Sequence, residues 1–173
     1  MIVLTACDPA PSVIDSPAIL PELSLQTLEH EIASINILES DALVLNIWAV
    51  WCGPCRQEMP ALQVLSNWGK EHNISVISLA VEEDANLVKE FLYKYQIHVP
   101  AYLISKQEAE KKLGLVAYPL TLVVAKDGRI MARLNGAYEW DNEQVYRLLT
   151  QLVLNSEADV NQFENFRMND PVE

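Results

Sequence analysis

Two cysteines separated by two residues, Cys52 and Cys55 in Trp51-Cys52-Gly53-Pro54-Cys55, are the groups in this chain best suited to chemistry. A pair at that spacing on a first helical turn can close into a disulfide and open again, passing two electrons each time. The flanking residues support such a turn. Residues 43–50 (Leu-Val-Leu-Asn-Ile-Trp-Ala-Val) form an apolar run that reads as a strand buried on both faces. Beyond the pair, Leu62, Val64, Leu65 and Trp68 fall at helical spacing, and Gly69 is expected to close the helix. The cysteines therefore stand where a central strand ends and a helix begins. Free backbone N–H groups and the helix dipole favour an anion there, and a thiolate is an anion. A helix start lowers a cysteine pKa from about 8.5 into the range of roughly 3.5–7.5.

Cys52 lies nearest the helix start and is expected to be the attacking thiolate. Cys55, one turn in, is expected to be less exposed and to resolve the mixed disulfide that Cys52 forms with a partner. Pro54 suits a first turn, where its missing N–H is not needed. A purely structural disulfide and half of a zinc site are the other uses of such a pair. Zinc needs two more ligands, and no second Cys pair or His pair stands at ligand spacing, so no metal is expected and nothing asks for a cofactor. His30, His72 and His98 read as exposed or structural.

The elements that must position the pair follow from the rest of the chain. Its 173 residues amount to about one domain, and half of them are apolar. Twelve Lys and Arg against 24 Asp and Glu give a net charge of −12, which argues against nucleic acid or an anionic membrane surface as a partner. Residues 23–28 alternate and read as an edge strand, and residues 29–41 as a short helical turn around Ile32 and Ile35. Residues 74–81 form a second apolar strand. Leu87, Val88, Phe91, Leu92 and Tyr95 then mark one face of an amphipathic helix. Strand, helix, strand, helix implies βαβ units and a parallel core. Residues 97–104 read as extended around Pro100. Ser105 and Glu108 make a capping box for a helix to Leu113, with Gly114 beyond it. The Asp127-Gly128 turn joins two apolar runs, 120–125 and 130–134, into a β-hairpin. A last helix starts at residues 141–144, with Val145, Leu148, Leu149, Leu152 and Val153 spaced to pack on the sheet. Residues 155–173 turn polar and are expected to form a mobile tail, with Phe163 and Phe166 as candidates for docking.

The stretch from Trp48 to Cys55 resembles the active-site sequence of the thioredoxin superfamily, and Pro60 stands where that family has its helix-kinking proline. The resemblance covers about residues 23–154. Within the superfamily the chain looks most like the membrane-tethered, extracytoplasmic TlpA/ResA/DsbE branch. The resemblance implies an α/β, thioredoxin-like fold, a central mixed β-sheet flanked by helices. It implies a cis bond between Tyr118 and Pro119, with Pro119 against the disulfide and Tyr118 touching the partner chain. Trp51, Gly53 and Pro54 complete the expected partner-binding surface. Thioredoxins commonly carry a buried Asp six residues before the first active cysteine; here Asn46 stands there and cannot titrate. The tethered reductases use a Glu just after the next strand, where this chain has Glu82 and Glu83. The spacing to Phe91 favours Glu83, expected to be partly buried, to have a raised pKa and to exchange a proton with Cys55.

Leu4-Thr5-Ala6-Cys7 resembles a bacterial lipobox, which implies a lipid on Cys7. A working signal needs a positive start and 7–15 apolar residues, more than the six residues that precede Cys7, so this reading implies a start further upstream. A free cysteine at a frayed terminus is the other reading. Residues 1–22 are then a truncated signal and a Pro/Ser/Asp-rich tether, and no apolar stretch approaches the length of a membrane span.

Together these features imply a thiol–disulfide oxidoreductase outside the cytoplasm, on the periplasmic side and lipid-anchored, that reduces disulfides of client proteins. Apocytochrome c would suit as a client, and a membrane thiol–disulfide protein would supply electrons. A disulfide oxidase or isomerase and a copper-delivery module using Cys52 and Cys55 are the alternatives. Gly53-Pro54 is the thioredoxin dipeptide, and thioredoxin lies at about −270 mV against about −120 mV for the oxidant DsbA.

Overall fold

A computed structural model of the chain describes residues 18–35, 39–155 and 159–168. The described residues form one seven-stranded sheet in the order β2-β1-β5-β4-β3-β6-β7. At its centre β3 (Ala42–Trp48) is buried along its whole length, as a run apolar on both faces must be. It pairs in parallel with β4 (Ile74–Ala80), which pairs in parallel with β5 (Ala101–Leu103). On its other side it pairs antiparallel with β6 (Leu120–Ala125), the first arm of the hairpin to β7 (Ile130–Asn135). The sheet is therefore mixed: βαβ crossovers make its parallel part, a tight turn in which Gly128 takes φ 85° joins the antiparallel β6 and β7, and β3–β6 is an antiparallel pair between strands distant in sequence.

The two faces of β3 define two cores. Leu43, Leu45 and Ile47 face the layer that holds Ala109 and Leu113 of α3 (Lys106–Leu113). Ala42, Val44 and Trp48 face the layer filled by α1 (Gly53–Glu71), α2 (Ala85–Lys94) and α4 (Glu143–Asn155). Half of the expected capping box of α3 forms: the Ser105 hydroxyl accepts from Glu108 N at 3.2 Å, whereas the Glu108 carboxylate accepts from Ser24 N and Lys112 Nζ, and Gly114 closes the helix at φ 63°.

Several elements differ from their sequence patterns. Only Leu25–Gln26 of the expected edge strand is extended, as β1, and Ile32–Ala33 forms β2 outside it, so β2 and not β1 is the edge. Residues 32–33 are thus strand where a helical turn was expected, and residues 36–38 lie outside the described part. A two-residue strand is defined by its pairing partner and has too few residues to show a period. In α2 the buried stripe is Ala85, Val88 and Phe91; Leu87 and Tyr95 are exposed. Residues 18–20 belong to the domain and not to a tether. Leu20 N donates to Gly128 O, Ile130 N donates to Ala18 O, and Ile19 bridges Arg129. Residues 1–17, with Cys7, lie outside the described part.

The C-terminal segment departs furthest from expectation. A 3-10 helix at Val160–Phe166 buries Val160, Phe163 and Phe166 in the layer that holds α1 and α4, so the docking of the two phenylalanines replaces the expected mobile tail there. Gly69 also has a different role. The helix runs two residues past it, and a Cβ at Gly69 would lie 2.5 Å from the carbonyl oxygen of Ile74. Glycine is needed there for the close approach of α1 to the start of β4. Gly69→Ala should destabilise the protein by about 1–3 kcal/mol in urea denaturation, because the obstructing atom is backbone. Gly53→Ala, with nothing within 4 Å of its Cβ position, is the control and should not destabilise. Equal stabilities of the two variants would refute the packing role.

Candidate active site

Cys52 is the N-cap of α1. Its backbone is extended (φ −78°, ψ 113°) and its Sγ accepts the backbone N–H of Cys55 at 3.2 Å. The sulfur thus takes the place of the oxygen that usually caps a helix, at the positive end of a helix of 19 residues. Cys52 and Cys55 are joined by a disulfide with their Cα atoms 5.3 Å apart. Cys52 keeps 5% of its surface and Cys55 none, so a partner sulfur can reach the pair only at Cys52.

Around Cys52 the surface is apolar. Trp51 is 67% exposed and meets the Tyr118 ring edge-on, with centroids 5.1 Å apart. The Tyr118–Pro119 bond is cis, Pro119 is buried, and Val116 stands exposed just before it. Burial, and to a lesser degree the charge of Glu110, pushes the Tyr118 phenol up. Gly53 is exposed and Pro54 half-buried, so the residues expected to meet a client do surround the accessible sulfur.

Below the disulfide lies a group that sequence reasoning missed. Glu58, one helical turn beyond Cys55 on the same face of α1, is fully buried. Its Oε1 accepts from Asn46 Nδ2 at 2.8 Å. Its Oε2 accepts from Trp140 Nε1 at 2.7 Å and from the backbone N–H of Tyr138 at 3.1 Å. Asn46, from β3, also donates to Thr121 Oγ1 of β6 at 2.9 Å. Burial pushes the Glu58 pKa up to about 7, against the opposing pull of the Trp140, Asn46 and Tyr138 hydrogen bonds. Glu58 is therefore the carboxyl near the cysteines with a perturbed proton affinity.

Glu83 does not have the expected burial. It lies exposed in the loop before α2, where its backbone N–H donates to Glu82 Oε1 at 3.1 Å, and Asp84 beside it caps the helix. The loop has no buried donor set comparable to that around Glu58. A signal for Glu58 was present in the sequence: it falls on the stripe of Cys55, Met59, Leu62 and Leu65, where an acid is out of place unless it is held. Its donors at positions 138 and 140 are too far along the chain for any local pattern to join them. Among the described residues no group of three or more His, Cys, Asp or Glu side chains could hold a metal ion.

Residues 8–149 match the Redoxin family. The chain is 27% identical over 132 residues to the thiol-disulfide oxidoreductase ResA of Bacillus thuringiensis subsp. konkukian (strain 97-27), covering 76% of this chain and 75% of that protein. It is 34% identical over 115 residues to the thioredoxin-like protein YneN of Bacillus subtilis (strain 168), covering 64% and 65%. The crystal structure of StoA from Bacillus subtilis superposes with a TM-score of 0.63, with 23% identity over 78% of this chain and 99% of that one, a likeness of fold.

Folding raises the Glu58 pKa from 4.5 to about 7, so the folded protein holds a proton that the unfolded chain releases in that interval. The stability from neutral Glu58 is complete below the unfolded value and is lost as pH rises through the folded value, a loss of about 3 kcal/mol. Glu58→Gln cannot titrate. In urea denaturation of the oxidised protein across this window, the variant should lack that downward slope. The same slope in both proteins would show that another group binds the proton.

Proposed function

The chain belongs to the Redoxin family, and from that premise we propose that it is a reductase of protein disulfides that works outside the cytoplasm. It is a thiol–disulfide oxidoreductase, as its relative ResA is named. The observation that carries the reading is the pairing of an accessible Cys52 at a helix start with a wholly buried Cys55.

In the reduced protein the Cys52 thiolate attacks one sulfur of the client disulfide. A Cys52–client bond forms, the client S–S bond breaks, and the first client sulfur leaves as a thiolate. Cys55 then loses its proton to the Glu58 carboxylate and attacks Cys52 Sγ. The internal disulfide forms, and the second client sulfur leaves and is protonated. Two electrons pass from the dithiol to the client. A carboxyl that titrates near 7 can take that proton at neutral pH and return it when the disulfide is reduced again. In this role Glu58 replaces Glu83. The exposed ring of Trp51, with Tyr118 and Pro119 beside it, supplies the apolar surface on which an unfolded client segment rests.

The thioredoxin dipeptide Gly53-Pro54 supports the reducing direction, and an apocytochrome awaiting haem is a client of the right kind. A membrane thiol–disulfide protein would restore the dithiol. No helix among the described residues is long and apolar enough to cross a membrane. Attachment would come through a lipid on Cys7, as Leu4-Thr5-Ala6-Cys7 implies. Mass spectrometry of protein extracted from membranes should find acylated Cys7; a free thiol in a soluble product would remove the anchor and leave the redox chemistry standing.

Cys52→Ser should abolish exchange, whereas Cys55→Ser should accumulate a mixed disulfide with the client. Trapping through Cys55 instead would reverse the assignment. Glu58→Gln should slow resolution by about a hundredfold near neutral pH and by less at high pH, where hydroxide can deprotonate Cys55. Glu83→Gln should behave as wild type. A reduction potential near about −120 mV instead of about −270 mV would make the protein an oxidant.

A further inference from the structure

Two of the three donors to Glu58 come from residues 136–140, the stretch that follows β7. The same stretch touches the other side of the site, since Gly136 N donates to Pro119 O at 2.8 Å. Its outer side is held by the C-terminal segment. Glu139 N donates to Phe166 O at 2.7 Å, Met168 N donates to Ala137 O at 2.8 Å, and Tyr138 and Arg167 form an antiparallel bridge between them. The Tyr138 hydroxyl, deep in the same layer, donates to Glu164 Oε1 at 2.8 Å. Glu164 in turn meets Arg167, with Nη1 and Oε2 3.5 Å apart. The Arg167 guanidinium lies over Gly136, where a Cβ would be 2.9 Å from two of its nitrogens. A segment with no helical or strand period is thus fastened, at every residue from 136 to 139, to the redox site or to the C-terminal segment.

We infer that residues 159–168 are a positioning element of the redox site, with Glu164 acting through the Tyr138 hydroxyl to hold the two donors of residues 138 and 140 against Glu58. The inference rests on the reading in which Glu58 exchanges the Cys55 proton. Few titratable or charged groups surround that carboxyl. Cys55 precedes it on α1, Tyr138 faces it from the stretch after β7, and Glu164 and Arg167 stand behind Tyr138 on the C-terminal segment. Asn46 of β3, Thr121 of β6 and Trp140 carry no charge. The donors favour the charged carboxylate, so loosening them moves its titration upward.

The test is the pH profile of the reaction of the reduced, full-length protein with oxidised glutathione, followed by loss of free thiol, with thermal unfolding run in parallel. Tyr138→Phe should move the midpoint assigned to Glu58 up by about half to one pH unit relative to wild type. Glu164→Gln removes the charge but keeps an oxygen that accepts the phenol O–H; Glu164→Ala removes both. Glu164→Ala should therefore titrate about half a unit above Glu164→Gln. Midpoints that coincide in both comparisons, whatever the melting temperatures, would reduce the segment to a stabilising strap and overturn the inference. Glu58→Gln separates the two levels. If it abolishes the transition while the other variants leave the midpoint in place, only the inference fails. If wild type and Glu58→Gln have the same profile, the proton role of Glu58 fails and the inference with it.

Discussion

The site depends on one buried carboxyl and the three hydrogen bonds that hold it. An acid with no exposed surface is tolerated only where donors replace the water it has lost. The donors to Glu58 come from β3, through Asn46, and from the stretch after β7, through Tyr138 and Trp140. Glu58 therefore ties the active-site helix to the central strand on one side and to the far end of the hairpin on the other. Any shift of α1 relative to these elements strands a donor or an acceptor in an apolar layer, at a cost of about 1–3 kcal/mol for each group. The helix that carries both cysteines is fixed in place by the same bonds that set the proton affinity beneath them.

The two sulfurs meet different surroundings as a result. Cys52 caps α1, where the backbone N–H of Cys55 and the helix dipole favour negative charge on sulfur. Cys55 is enclosed in apolar packing with a titrating carboxyl one turn away. The asymmetry that a two-step exchange needs, one sulfur that meets the client and one that only the first sulfur can reach, is thus set by a helix start and a core. It requires no residue beyond those that build α1 and its neighbours.

Much of this was legible in the sequence, for identifiable reasons. β3 shows as an apolar run because both its faces are buried, and the hairpin shows because Asp127-Gly128 demands its turn. The cysteine pair, the Ser105 cap and the Gly114 stop are likewise local chemistry. What escaped depends on partners far away in sequence. Ile32–Ala33 is a strand only because β1 lies beside it. Gly69 looks like a helix stop and is instead a contact with Ile74. Glu83 has the expected place relative to the second strand but no donors to bury it, whereas Glu58 has donors from Tyr138 and Trp140, about 80 residues on. In the C-terminal segment Phe163 and Phe166 were legible as candidates for docking, but the polar composition around them hid the 3-10 helix that buries them.

Asn46 explains why a single carboxyl suffices. A second acid at that position would lie within hydrogen-bonding distance of Glu58, since Asn46 Nδ2 is 2.8 Å from Oε1. Two carboxylates so close cannot both ionise; they would share a proton, and the upper of the two titrations would rise well above neutrality. An amide in that place gives a donor and no charge. It lowers the Glu58 pKa while burial raises it, and the balance falls at about 7. With fewer donors the acid would stay protonated at neutral pH and could not accept the Cys55 proton; with water in place of the apolar layer it would stay ionised and could not return one. The amide on β3 therefore belongs with the acid on α1: Asn46 is the uncharged donor that makes the buried position of Glu58 workable.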